Sequence, residues 1–358
     1  MNRRAALADA VEAYRLPRLV RLTGNTYAAV FSLMKLLPAD HILRAATLRG
    51  DVRPDTTIVE TTSGTFGLGL AMRTALTGNP LVLVSDPVID DRLRERLELL
   101  GARVDIVRDP SPVGGYQAAR LDRVAQVRAE IADTFCPNQY SNPDNPLAYA
   151  LAAEAVAEAV GQVDCLVGPV GSGGSMCGTA NNLRTAFPEM RAIGVDTHLS
   201  VLFGQPDGHR RLRGLGNSLM PANLDHRTFD EVHWVGAAEA YQATRELFRR
   251  HALFTGPTSG AAYLVGRWFA ERNPDATTVI MCPDDGYRYQ DTVYHAGWLA
   301  ENHLLDRGER EPTPVADPTR GTSGWAFLPW QRRSLDEVLR NEPAPVSAEL
   351  RGGRRTWR

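Results

Sequence analysis

The sequence predicts an α/β protein built as two open, mainly parallel sheets with a cleft between them. Three observations predict it. Short apolar runs of strand length alternate with longer helical patterns, as parallel βα units require. The strand-like runs fall into two groups, before and after about residues 142–145, which suggests two sheets. Two glycine-rich turns, at residues 62–67 and 171–175, each join a strand-like run to a helical one. A ligand cleft between two such units lies outside the carboxyl ends of the strands.

In order, strand 57–61 leads into helix 67–76, strand 81–85 into helix 90–100, and strand 103–107 into helix 117–132. Helix 146–160 precedes strand 165–170, which leads into helix 176–186. Strands at 192–195 and 232–235 follow, then helices 237–251 and 260–272, strand 278–282 and helix 289–302. Beyond about Leu305 the stretch GEREPTPVADPTRGTSGW, rich in Pro, Gly and charge, reads as a linker. Ser334 and Glu337 form a capping box that starts a short helix running to about Asn341. Trp325, Phe327 and Trp330 either anchor this tail on the body or a second subunit, or leave it as a loose end.

Composition excludes several classes. The 358 residues are 43% hydrophobic and 23% charged, which suits a soluble globular protein of about two domains. A net charge of −2 supplies no global field for nucleic acid or membrane. Apolar runs such as residues 165–170 are far too short to span a bilayer, and MNRRAALADAVEAYR lacks the core of a signal peptide. Cys136, Cys165, Cys177 and Cys282 show no CxxC pairing, so reduced thiols and the cytoplasm are expected. The eight histidines have no ligand spacing, so no metal site is expected.

Of the 40 basic residues 39 are Arg, and the single lysine is Lys35. On a solvated surface either cation serves, so codon bias can empty a chain of Lys. Only an amine, though, can be deprotonated and made nucleophilic. The glycine turns are anion sites in waiting, because backbone amides and the helix dipole converge there. One suits a phosphate and the other a carboxylate. With one unique amine, the set suits a pyridoxal phosphate enzyme acting on an amino acid.

Six segments carry a resemblance in order: TIVETTSGTFGLGLAM, NQYSNPDNP, GPVGSGGSMCG, GLGNSLMPANLD, GPTSGAA and CPDDGYRYQDT. Over about residues 15–303 the chain resembles the O-acetylserine sulfhydrylase (cysteine synthase) and cystathionine β-synthase family. These are fold type II, tryptophan synthase β-like, pyridoxal-phosphate enzymes. Lys35 lies 27 residues before Thr62, the family's spacing from Schiff-base lysine to substrate loop. The resemblance implies that Lys35 holds the cofactor and then acts as general base. Apolar Phe31, Leu33, Met34 and Leu36 would favour its free amine. Gly171, Ser172, Gly173, Gly174 and Ser175 would hold the phosphate, and Thr258 the pyridine nitrogen. Thr62, Ser63, Gly64 and Gln139 would bind the substrate carboxylate. Residues 1–39 and 146–303 would form a larger cofactor domain, residues 40–145 a smaller mobile domain carrying the substrate loop, and residues 304–358 a C-terminal extension.

The departures are local. The family's NPxGSxKDR reads VFSLMKLLP here, with Ser32 one position out of register. The Asn and Thr of TSGNTG become Thr65, which would touch the cofactor's ring oxygen, and Phe66, which reads as core packing. Asn217 and Ser218 replace small apolar residues in a loop that, in the family, borders the incoming nucleophile, and hint at a larger or more polar second substrate. Arg210, Arg211 and Arg213 read first as a solvated face, with contact to an anionic nucleophile or acyl group as the alternative, and Asp284-Asp285 as a structural turn beside the cofactor ring. The implied activity is β-replacement on an O-activated serine, such as O-acetylserine or O-phosphoserine, through an aminoacrylate. Alternatives are an amine nucleophile yielding a product such as 2,3-diaminopropionate, a lyase or dehydratase, and a catalytically silent regulatory relative. The partners expected are an amino-acid substrate, a small nucleophile and a second copy of the chain.

Overall fold

A computed structural model describes residues 6–341 except 63, 113–114, 213, 306–307 and 321–322. In chain order these form α1 (Ala10–Tyr14), β1 (Arg18–Thr23), β2 (Thr26–Val30), α2 (Leu36–Arg49), β3 (Thr57–Thr61) and α3 (Thr65–Thr77). Next come β4 (Leu81–Ser85), α4 (Asp91–Leu99), β5 (Ala102–Ile106), α5 (Gly115–Glu130), β6 (Thr134–Phe135), α6 (Asp144–Ala148) and α7 (Ala150–Val160). The remainder is β7 (Cys165–Pro169), α8 (Gly174–Ala186), β8 (Arg191–Asp196), β9 (Glu231–Val235), α9 (Ala237–His251), α10 (Pro257–Arg272) and β10 (Thr278–Cys282). It closes with α11 (Ala296–Glu301), β11 (Thr313–Pro314), β12 (Trp325–Pro329) and α12 (Leu335–Leu339).

Two sheets result. The smaller runs β5-β4-β3-β6, all parallel. The larger runs β1-β2-β10-β7-β8-β9-β12-β11, parallel from β2 to β9 and antiparallel at β1–β2 and β9–β12. Strands β3, β4, β7 and β10 are buried along their whole length, as helices on both faces of a parallel sheet demand. Alternate residues feed opposite cores: Leu166, Ala192 and Val279 on one face of the larger sheet, Val167, Ile193 and Ile280 on the other. Ile58 and Leu83 against Val59 and Val84 do the same in the smaller sheet.

The structure corrects the expected elements in four places. The sequence reading contains no α1, β1–β2 hairpin, α2, β6 or β11. Helix 146–160 is interrupted at Tyr149, giving α6 and α7. Of helix 289–302 only α11 forms, after a 3-10 turn at Tyr287–Tyr289. The presumed linker is part of the body: β12 extends the larger sheet by pairing Trp325 with Val235 through to Pro329 with Glu231. Trp325 and Trp330 are fully buried, and the indole of Trp325 bonds His233 Nδ1 at 3.0 Å. The capping box forms, with Glu337 N donating to Ser334 Oγ at 3.3 Å and Ser334 N to Glu337 Oε2 at 2.6 Å. Ser63, Arg213 and the terminal GGRRTWR lie outside the described residues.

Candidate active site

The carboxyl ends of β3, β7 and β10 open on one cleft of about 560 Å³ between the sheets. Lys35, Thr62, Gly64, Thr65, Gln139, Gly171, Ser172, Ser175 and Thr258 all line it. Gly173 and Gly174 do not; they shape the turn from behind.

Lys35 sits immediately before α2, and α3 crosses tightly over it. A Cβ on Gly69 would stand 3.0 Å from the Lys35 carbonyl oxygen. Phe31, Leu33, Met34 and Leu36 are buried around it. Burial lowers the amine's pKa to about 8; Asp284 and Glu60 oppose the shift and Arg288 adds to it. Lys35 Nζ donates to Gln139 Oε1 at 3.4 Å. Gln139 is itself pinned: its N–H donates to Glu60 Oε2 at 3.3 Å, and its carbonyl accepts from Asn145 Nδ2 at 2.5 Å and Asn223 Nδ2 at 2.9 Å. Burial raises Glu60 to about 7 despite backbone N–H groups that favour its charge.

The turn after β3 is organised by a side chain. The Thr62 hydroxyl accepts from Gly64 N at 3.1 Å and Gly67 N at 3.3 Å, taking up donors at the start of α3. Thr65 begins α3 and faces the cleft, while Phe66 is 1% exposed in the core of the smaller sheet, as packing predicts. The turn after β7 is organised by exclusion. Gly173 has φ +81°, and its added Cβ would lie 2.6 Å from Leu224 Cα. A Cβ on Gly174 would lie 2.3 Å from Asn145 Oδ1, and one on Gly171 3.1 Å from the Gly214 carbonyl. The first amides of the 13-residue α8, which have no carbonyl within their own helix, belong to this turn. Thr258 is the second residue of α10.

Several cleft residues escaped the sequence reading. Arg120 comes from α5 and stands 3.4 Å from Asp86; its Nε is buried without a partner among the described residues. Arg288 and Tyr289 arrive on the turn after β10. Asp284, on the turn expected beside the cofactor ring, lines the cleft. Its Oδ2 accepts from the Tyr289 hydroxyl at 2.7 Å, its Oδ1 is buried without a described partner, and burial raises it to about 6. Arg210 is no solvated face but part of the cleft wall. The wall thus carries Lys35, Arg120, Arg210 and Arg288 against Asp86, Asp207 and Asp284. Arg120 and Asp86 come from elements distant from the glycine turns, so no motif announces them. Among the described residues, no group of three or more His, Cys, Asp or Glu is placed to hold a metal, and no helix is long and apolar enough to cross a membrane.

The chain is 36% identical over 300 residues to N-(2-amino-2-carboxyethyl)-L-glutamate synthase of Cupriavidus metallidurans, covering 80% of this chain and 88% of the relative. It is 32% identical over 307 residues to the synthase of the same name from Ralstonia nicotianae, covering 82% and 91%. Its fold matches O-acetyl serine sulfhydrylase isoform 3 of Entamoeba histolytica with a TM-score of 0.75 at 25% identity, over 86% of this chain and 98% of that one. The family model for pyridoxal-phosphate dependent enzymes matches residues 33–284, and the chain belongs to that family.

Proposed function

We propose that this enzyme replaces the β-oxygen substituent of an O-activated serine with the amine of L-glutamate, giving N-(2-amino-2-carboxyethyl)-L-glutamate. The observation that carries this reading is the set of three cleft arginines, in a chain whose relatives bear that product's name. Such a nucleophile brings two carboxylates, and Arg120, Arg210 and Arg288 offer what they need. Sulfide, the nucleophile of plain cysteine synthesis, would need none of them.

The residues fit pyridoxal phosphate: a deprotonatable amine, an amide-rich turn at a helix N-terminus and a cleft-facing hydroxyl on α10. When bound, the cofactor draws electrons from the amino acid's Cα and weakens the Cα–H bond. Lys35 would hold it through Nζ, and the amides and hydroxyls of Gly171–Ser175 would hold its phosphate. Thr258 would meet the ring nitrogen with a neutral hydroxyl. Thr62, Ser63, Gly64 and Gln139 would hold the donor's carboxylate, with Thr65 beside the ring oxygen. Lys35 Nζ, with a pKa near working pH, takes the Cα proton and later returns it. Over the cycle the Cβ–O bond breaks, the leaving oxygen keeps the electron pair, and the glutamate nitrogen forms the new Cβ–N bond and loses a proton. A homodimer in the cytoplasm, with residues 40–145 moving as a unit over the cleft, belongs to the same reading.

The test mixes the purified holoenzyme with O-phosphoserine or O-acetylserine, follows the visible band of the bound cofactor, then adds L-glutamate or sulfide and weighs the product. One donor is expected to move the band. Glutamate should then restore it and yield the named product. Cysteine from sulfide, with nothing from glutamate, would replace this reading with cysteine synthesis.

A further inference from the structure

We infer that Arg210 selects the nucleophile, its guanidinium binding a carboxylate of the incoming amino acid where the Asp207 carboxylate now sits. This rests on the reading that the second substrate is an anionic amino acid.

Arg210 stands on the cleft wall with a side chain only 15% exposed. One guanidinium nitrogen donates to the carbonyls of Leu199 and Gly208, the latter at 3.1 Å, and the other to Ser218 Oγ at 2.5 Å. Carbonyls and a hydroxyl fix the plane of the group and leave its charge uncancelled. Its carboxylate partner among the described residues is Asp207, at 2.8 Å, three positions away and 52% exposed. An ion pair with so exposed a partner adds little stability, so a carboxylate delivered by a substrate can take its place. Asp196, fully buried beneath the loop, also faces Arg210; burial raises it to about 7, so it offsets only part of the charge at neutral pH.

The loop is also tied to the reacting end of the site. Asn217 donates through Nδ2 to the Gly171 carbonyl at 3.3 Å, and its backbone bonds Ser200 Oγ and Val201 N. Asn217 therefore serves the loop's shape while lining the cleft, and Ser218 with Arg210 adds a held cation to the same wall. The other cations sit elsewhere. Arg288 lies by Gly64 and acts on Lys35, and Arg120 pairs with Asp86 on the smaller sheet's side. A guanidinium held in one plane by these partners meets a carboxylate in a fixed direction, which a flexible ammonium on the same stem would not.

The experiment measures KM for L-glutamate and for the donor in the holoenzyme and in Arg210→Ala, Arg210→Lys and Asp207→Asn. In both Arg210 variants the KM for glutamate should rise about 10- to 100-fold, and at least about tenfold more than the KM for the donor. In Asp207→Asn it should fall, because the guanidinium loses its resident carboxylate. A clasp that only shapes the loop would leave it unchanged or raise it. Equal rises in both KM values for Arg210→Ala, or an unchanged or raised glutamate KM in Asp207→Asn, overturn the inference while the functional reading stands. A wild-type enzyme that consumes the donor but never glutamate removes both.

Discussion

The two glycine turns that face each other across the cleft are built on opposite principles. At residues 171–174 the glycines are dictated from outside. Leu224, Asn145 and the Gly214 carbonyl occupy the space that a Cβ would need, and Gly173 adopts φ +81°. At residues 62–67 a side chain does the organising, for the Thr62 hydroxyl gathers the amides of Gly64 and Gly67. The first turn is a rigid mould for one group. The second can exchange residues as long as Thr62 and the core beneath it hold, which is why Thr65 and Phe66 can stand where relatives of the cysteine synthase type carry Asn and Thr. Cofactor binding and substrate choice can thus vary separately in one cleft.

Gly173→Ala tests the mould. The strained backbone alone costs about 1–3 kcal/mol, and the collision with Leu224 must move main chain as well. The variant is expected to lose the cofactor's visible band on gel filtration; full retention would mean that the turn tolerates a side chain. Phe66→Ala tests the adaptable side. Removing a ring that is 1% exposed should cost about 3–5 kcal/mol in urea denaturation. A loss below about 1 kcal/mol would show that the core does not hold the second turn. Glu60→Gln carries a pH sign. Burial raises Glu60 from 4.5 to about 7, so the stability its protonated form contributes is whole below pH 4.5 and lost as pH rises through about 7. Wild-type stability should therefore fall relative to the variant between those values, by ~3 kcal/mol at most. Parallel curves would mean that Glu60 does not titrate there.

What the sequence makes legible follows from the same contrast. Strands β3, β4, β7 and β10 are unbroken apolar runs because both their faces are covered, and they stand out at once. Strand β1 is half exposed, with Arg18 and Arg21 among its residues, so its run reads as surface. Strand β12 hides between Gly324 and Pro329, and only the partner strand β9 gives it a place. In the site, the glycine turns and the lone lysine carry a local signature. Arg120 does not, since it becomes a site residue through the approach of an element distant in the chain, and Arg210 and Asp284 carry only an ambiguous one. Arg210 reads two ways, because three arginines within four loop residues suit a solvated face as well as an anionic ligand.

The C-terminal segment gives the cleft an order of assembly in time. Leu335, Leu339 and Pro318 pack where a Cβ of Gly204 would point, and Trp330 meets Phe203 edge-on at 5.1 Å. Phe203 and Gly204 lie on and just after the 3-10 turn whose Ser200 and Val201 hold Asn217. A stretch that follows the rest of the cleft in the chain thus props the wall that Arg210 and Ser218 build. A nascent chain can finish both glycine turns while still tethered, with the edge of β9 bare and ready to pair with a neighbour. By this packing the wall gains its full support only once residues 325–339 have docked.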